Sequence, residues 1–229
     1  MKYVDQVCPN QVMRYHHVDF PVMKTAIEVH FTPSYMFCPI HNWRMQKWFE
    51  EVMGEQCNHQ VSLPDGYGEI HVPLVSFNVI YILSHLYRHI FTEGIGLRQL
   101  LDYYYVLISD DLLLIRDRVQ KELKHLGLWK FAQAVMFVMK EVFGLSEDRM
   151  IAPMDEKEGR FLLDEIMRGG NFGQYDDRMG SKVDESKIHR YFRMNLRNLR
   201  FVKHYSTEAV CEPVFRTWFA GWKFINRIK

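Results

Sequence analysis

Residues 77–107, FNVIYILSHLYRHIFTEGIGLRQLLDYYYVL, are apolar enough to form the centre of a core, yet they carry His85, Arg88, His89, Arg98 and Asp102. On a helix, positions three and four apart share a face, so Asn78, Ile82, His85 and His89 form one stripe with Tyr81 and Arg88 beside it. Two imidazoles at i and i+4 have the spacing of a metal-binding pair. However, Leu86 stands where a zinc-protease helix carries its Glu, and spacing fixes no third ligand, so no metal is assigned to this pair. Arg98 and Asp102 are also four apart. An unpaired buried ion costs several kcal/mol, so the expectation is a buried Arg98–Asp102 ion pair that meets the His85/His89 face across the short reversal TEGIG. Such a network either locks two helices together or forms a wall facing a ligand.

A second chemical pattern lies near the N-terminus. In TAIEVHF, residues 25–31, alternation places Glu28 and His30 on one face of a strand and Ile27, Val29 and Phe31 on the other. One strand face is therefore apolar and the other carries a carboxylate and an imidazole.

The elements that position these groups can be read from periodicity. Residues 13–18 and 25–31, separated by a segment containing Pro21, predict a strand–turn–strand unit. Residues 33–72 form a connector with a short helix over 41–53, followed by turns and one extended piece in SLPDGYGEIHVP. From Val75 onward the period is helical, with helices predicted near 75–92, 95–109, 111–126, 128–143, 155–168, 184–204 and 212–227. Glycines at 94, 127, 144 and 169 mark helix ends. The segment 168–185, rich in Gly and Asp, predicts a mobile or ligand-facing loop. The expected class is α+β, mostly α, with residues 1–72 carrying the hairpin and connector and 73–229 forming a helical domain.

Composition excludes more than it assigns. A net charge of +1 and 48% hydrophobic residues describe a globular chain rather than a polyanion binder. Arg190, Arg193, Arg197, Arg200 and Lys203 make one basic stripe, read as a solvated helix face, so nucleic acid is not the expected partner. The four cysteines, Cys8, Cys38, Cys57 and Cys211, are scattered, which indicates neither a zinc knuckle nor a disulfide framework. They suit a reducing cytoplasm, and no membrane-spanning run or signal pattern is present in the sequence. The P-loop, dinucleotide-fold and G-x-S-x-G motifs are all missing.

The blocks IEVHF at 27–31, HLYRH at 85–89, GIGLRQLLD at 94–102 and GNFG at 170–173 together resemble a family of bacterial uncharacterised nucleotidyltransferases related to the minimal nucleotidyltransferases. The resemblance runs from about Tyr15 to the end of the chain. It implies a fold in which a Gly-Ser turn, an Asp-x-Asp pair and a third carboxylate hold Mg²⁺ and a nucleoside triphosphate in line with an acceptor hydroxyl. Glu28 then takes the place of the third carboxylate, as a catalytic and metal-binding residue. His30, His85, His89, Arg98 and Asp102 become candidates for lining the nucleotide cleft. The Gly-Ser/Asp-x-Asp part has no counterpart in these residues, so the resemblance also implies a missing N-terminal segment and an isolated chain without transfer activity. The alternative is a non-catalytic helical module that docks on a catalytic partner or on a second copy of itself.

Overall fold

A computed structural model of the chain describes residues 14–19, 27–56, 58–170, 176 and 186–225. Two short strands, β1 (His17–Asp19) and β2 (Glu28–His30), pair antiparallel with His17 opposite His30 and Asp19 opposite Glu28. Next come α1 (Pro39–Gln56) and a second hairpin, β3 (Gln60–Ser62) with β4 (Glu69–His71). The remaining elements are helical: α2 (Val75–Thr92), α3 (Leu97–Leu107), α4 (Asp110–His125), α5 (Trp129–Phe143), α6 (Glu156–Gly169), α7 (Lys187–Leu199) and α8 (Ser206–Ile225). The protein is thus α+β and mostly α, as the pattern implied.

Helix boundaries follow local chemistry. Gly94 ends α2 with φ of 90°, and its N–H returns to the His89 carbonyl at 2.7 Å. Asp155 caps α6 by accepting from the Glu158 N–H at 3.0 Å, and Ser186 caps α7 through the His189 N–H at 3.2 Å. The SLPDGYGEIHVP stretch, expected to supply turns and one extended piece, carries the turn and second strand of the β3–β4 hairpin, and α1 extends beyond the predicted 41–53 at both ends.

The core centres on α5, whose residues Ala134 to Met139 are all buried, as expected for a helix surrounded by others. Gly159 of α6 sits so close that a methyl group there would lie 2.3 Å from the Phe137 side chain, which explains why these two helices can pack closely. Along α2, the predicted apolar stripe Val79, Ile80, Leu83, Leu86 and Ile90 is buried against the same core. One hydrophobic cluster joins Met45, Trp48 and Phe49 of α1 to these helices and to Phe201 and Tyr205. The opposite face of α3 is where expectation fails. Leu100, Tyr103 and Leu107 point inward, so Arg98 and Asp102 are exposed, and among the described residues no ion pair joins them. They do not meet the His85/His89 face as a buried pair.

Most of the predicted 168–185 loop, including residues 171–173 of the GNFG block, lies outside the described residues. In the predicted basic stripe, Arg197 stacks over Phe201 and Arg200 pairs with Glu165 and Asp176, so these two cations are engaged within the fold. Among the described residues no helix is long and apolar enough to cross a membrane.

Candidate functional site

The residues at the start of β1 meet the polar side of α2 around Tyr35, whose ring lies 5.1 Å from that of His16 and 4.9 Å from the Arg88 guanidinium. Antiparallel register puts His17 and His30 side by side, with their rings stacked at 5.1 Å between centroids. Glu28, two residues before His30, shares that face: its carboxylate accepts from His30 Nε2 at 3.2 Å and lies 3.8 Å from His17 Nε2. Its side chain remains 57% exposed, open to an incoming ligand. His16, on the inner side of the hairpin and 4% exposed, shares a hydrogen bond with His17 at 3.3 Å.

Beneath the hairpin, α2 contributes a ladder of rings at i, i+4 spacing. Phe77 stacks on Tyr81 at 5.5 Å, Tyr81 meets His85 at 6.0 Å, and His85 meets His89 at 4.3 Å. Arg88 lies beside the ladder. Its guanidinium donates to His85 Nδ1 at 3.3 Å and to His89 Nε2 at 3.2 Å, and it stacks 4.9 Å over the Tyr35 ring. On its far side, His89 approaches Glu93 at 3.5 Å.

The electrostatics follow from burial around this one cation. Burial, reinforced by Arg88 and the neighbouring imidazoles, holds His16 down to about 2. Burial again, then His89 and Arg88, brings His85 to about 3. Both rings are therefore neutral at physiological pH, and the fixed positive charge among these imidazoles is Arg88, 8% exposed and with no carboxylate in salt-bridge range among the described residues. Its Nε also lacks a hydrogen-bond partner. A buried guanidinium without an acid counterpart is costly unless an anion completes it.

The structure thus brings four predicted residues, Glu28, His30, His85 and His89, into one neighbourhood and leaves Arg98 and Asp102 on the exposed face of α3. Sequence reasoning left His16, His17 and Arg88 outside the site. Arg88 carried a usable signal, because it stands between the two histidines in HLYRH. His16 and His17 could be placed only once the strand register was known.

Three imidazole nitrogens, from His16, His17 and His30, lie within 4.8 Å of one another, a donor set that suits a borderline transition metal better than a hard cation. Mg²⁺ requires oxygen ligands in near-octahedral array. Glu28 supplies one carboxylate and its close described neighbours are imidazoles, so these residues alone do not fit a Mg²⁺ site.

The family described as "Uncharacterised nucleotidyltransferase" matches residues 4–144, well over half of the chain. The chain belongs to that family. Every residue placed at the site here falls within the matched part, so the hairpin and α2 are elements of this nucleotidyltransferase family, whereas α6, α7 and α8 lie beyond it. Comparison with curated proteins and with solved structures gave no match.

Proposed function

We propose that the face between the β1–β2 hairpin and α2 receives the phosphates of a nucleoside triphosphate, as one wall of a cleft for nucleotidyl transfer to an acceptor hydroxyl. The observation that carries this reading is Arg88: a buried guanidinium, held by two histidines and an aromatic ring, with no described carboxylate to neutralise it. A phosphate oxygen would supply the missing charge through charge-assisted bonds. Glu28, on the open side, is suited to accept the proton of an acceptor hydroxyl or to join further carboxylates around a metal. Family membership supports the same class of chemistry.

Because Glu28 is a single carboxylate among imidazoles, these residues alone hold no Mg²⁺. Magnesium would enter with the nucleotide and needs other carboxylates to be held for catalysis. On this reading the isolated chain binds nucleotide and transfers it poorly or not at all. The second reading, a helical module that docks on a partner chain or a second copy, is favoured by exposed Phe192, Leu196 and Leu199 on α7 and Trp218, Phe224 and Ile225 on α8.

Calorimetric titration with each of the four nucleoside triphosphates, in Mg²⁺ buffer, tests the leading reading. At least one should bind, with affinity falling about tenfold or more in Arg88→Gln, in keeping with loss of a charged hydrogen bond. Glu28→Gln should leave binding nearly intact. Equal binding by wild type and Arg88→Gln, or no binding of any triphosphate, would remove the basis of the reading.

A further inference from the structure

A second cluster of donors lies away from the hairpin cleft, where the start of α1 meets the start of α8. Cys38 immediately precedes α1 and His41 lies in its first turn; Glu208 and Cys211 occupy the first turns of α8. The sequence therefore presents two half-sites, C-x-x-H and E-x-x-C, separated by more than 160 residues. In the folded chain they converge. Ligand atoms of Cys38, His41 and Glu208 all lie within 4.8 Å of one another, and Cys211 lies beside this trio, near enough to Cys38 and Glu208 for both to act on its thiol.

The surroundings aim these groups. Oxygen Oε2 of Glu208 is occupied by the N–H groups of Phe37 at 2.7 Å and Cys38 at 3.1 Å, which fixes the carboxylate and turns Oε1 to His41 Nδ1 at 2.8 Å. The far edge of the His41 ring rests on Gly127, where a methyl group would lie 2.6 Å from ring atoms, so the imidazole cannot swing away on that side. Glu208 as a simple helix cap accounts for the two backbone bonds. It does not account for a thiol and an imidazole gathered within 4.8 Å of the same carboxylate. A cleft of about 460 Å³, lined by Phe37, Pro39, Val210 and Cys211 among others, borders this place and exposes the Cys211 side of it.

We propose that Cys38, His41, Glu208 and Cys211 form a binding site for a zinc-type divalent cation. Cys38, His41 and Glu208 are already gathered; with Cys211 turned in as the fourth ligand, two sulfurs, one nitrogen and one oxygen would complete a closed tetrahedral set, the arrangement of a structural rather than catalytic ion. On binding, each thiol releases its proton to solvent, and the His41 proton on Nδ1 gives way to one on Nε2. The ion then ties α1 to α8. This inference does not depend on the nucleotide reading, because no residue is shared with the hairpin cleft.

Cobalt titration of the reduced, chelator-stripped full chain tests the site. Expected are thiolate-to-cobalt charge-transfer absorption in the near ultraviolet and tetrahedral bands in the visible, both saturating at one cobalt per chain and erased by one equivalent of zinc. Occupancy of the His16/His17/His30 triad gives no thiolate band, so the two sites are spectroscopically distinct. Cys211→Ser, a half-buried position where the fold should persist by circular dichroism, should weaken cobalt by more than about a hundredfold, beyond the cost of losing an outer hydrogen-bond partner of a ligand. Cobalt binding without thiolate absorption, an unchanged titration in Cys211→Ser, or a Cys38–Cys211 disulfide that forms as fast with zinc as without it would each overturn the site.

Discussion

The carboxylate of Glu208 accepts the backbone N–H of Phe37 at 2.7 Å across 171 residues of sequence. This contact closes the fold: a side chain on α8 satisfies backbone groups at the start of α1, with His41 as a third partner. Replacing Glu208 by Ala strands two buried N–H groups and an imidazole. The expected loss in metal-free protein is about 3–5 kcal/mol, as for a broken buried polar pair, read by urea denaturation. Glu208→Gln keeps an acceptor oxygen and should lose less than half as much. Equal losses in the two variants would mean that the hydrogen bonds do not matter and only side-chain volume does.

Acid should destabilise the protein well before carboxylates titrate. In the unfolded chain histidines protonate near 6.5, whereas in the folded chain His16 is held to about 2 and His85 to about 3. Between these limits the unfolded state binds more protons, so stability is full above about pH 6.5 and falls as pH drops. Each ring should contribute about 1 kcal/mol per pH unit, below the full linkage slope because water reaches part of the site. Denaturation at pH 7, 5.5 and 4.5 should show this slope, and the double variant His16→Gln/His85→Gln should flatten it. An unchanged slope in that variant would place the acid sensitivity elsewhere.

Gly127 combines φ of 76° with the His41 ring against its α-carbon. Gly127→Ala therefore meets two penalties, left-handed backbone with a side chain and displacement of the imidazole, together about 2–3 kcal/mol. A thermal melt of Gly127→Ala against Gly144→Ala separates them, because Gly144 has a similar φ of 69° but open space around it. Similar melting temperatures for the two variants would show that the His41 contact contributes nothing.

Arg98 and Asp102 supply a prediction that reverses the sequence reading. Both face solvent and no described ion pair links them, so Asp102→Ala should change stability by less than about 0.5 kcal/mol. A drop of several kcal/mol on denaturation would restore the buried pair.

The reason for that error is physical. Spacing of four shows that Arg98 and Asp102 share a helix face but not where the face points, and the inward direction of α3 is set by Leu100, Tyr103 and Leu107, whose own spacing was available. The α2 stripe was legible because Val79, Ile80, Leu83, Leu86 and Ile90 leave a single apolar side to bury. Helix ends at Gly94 and Gly144 were legible because few other residues adopt positive φ there. What no local pattern could reveal is proximity made by the whole fold. His17 reaches Glu28 only through a strand register. Cys38 and Cys211, scattered in the sequence and read as unrelated, come near each other only because α8 returns to α1.

That return has a consequence for how the protein is made. At roughly 5–20 residues per second, a ribosome adds the 171 residues between Phe37 and Glu208 in roughly 10–30 s. Throughout that interval the residues leading into α1 have been synthesised without the carboxylate that later accepts the N–H groups of Phe37 and Cys38, and Cys38 and His41 have no opposite half. The N-terminal third of the nascent chain therefore waits, incompletely secured, for its last helix to emerge. A chain stalled before Ser206 should be open to chaperone capture and proteolysis around Phe37, and one released after Ile225 should be closed there.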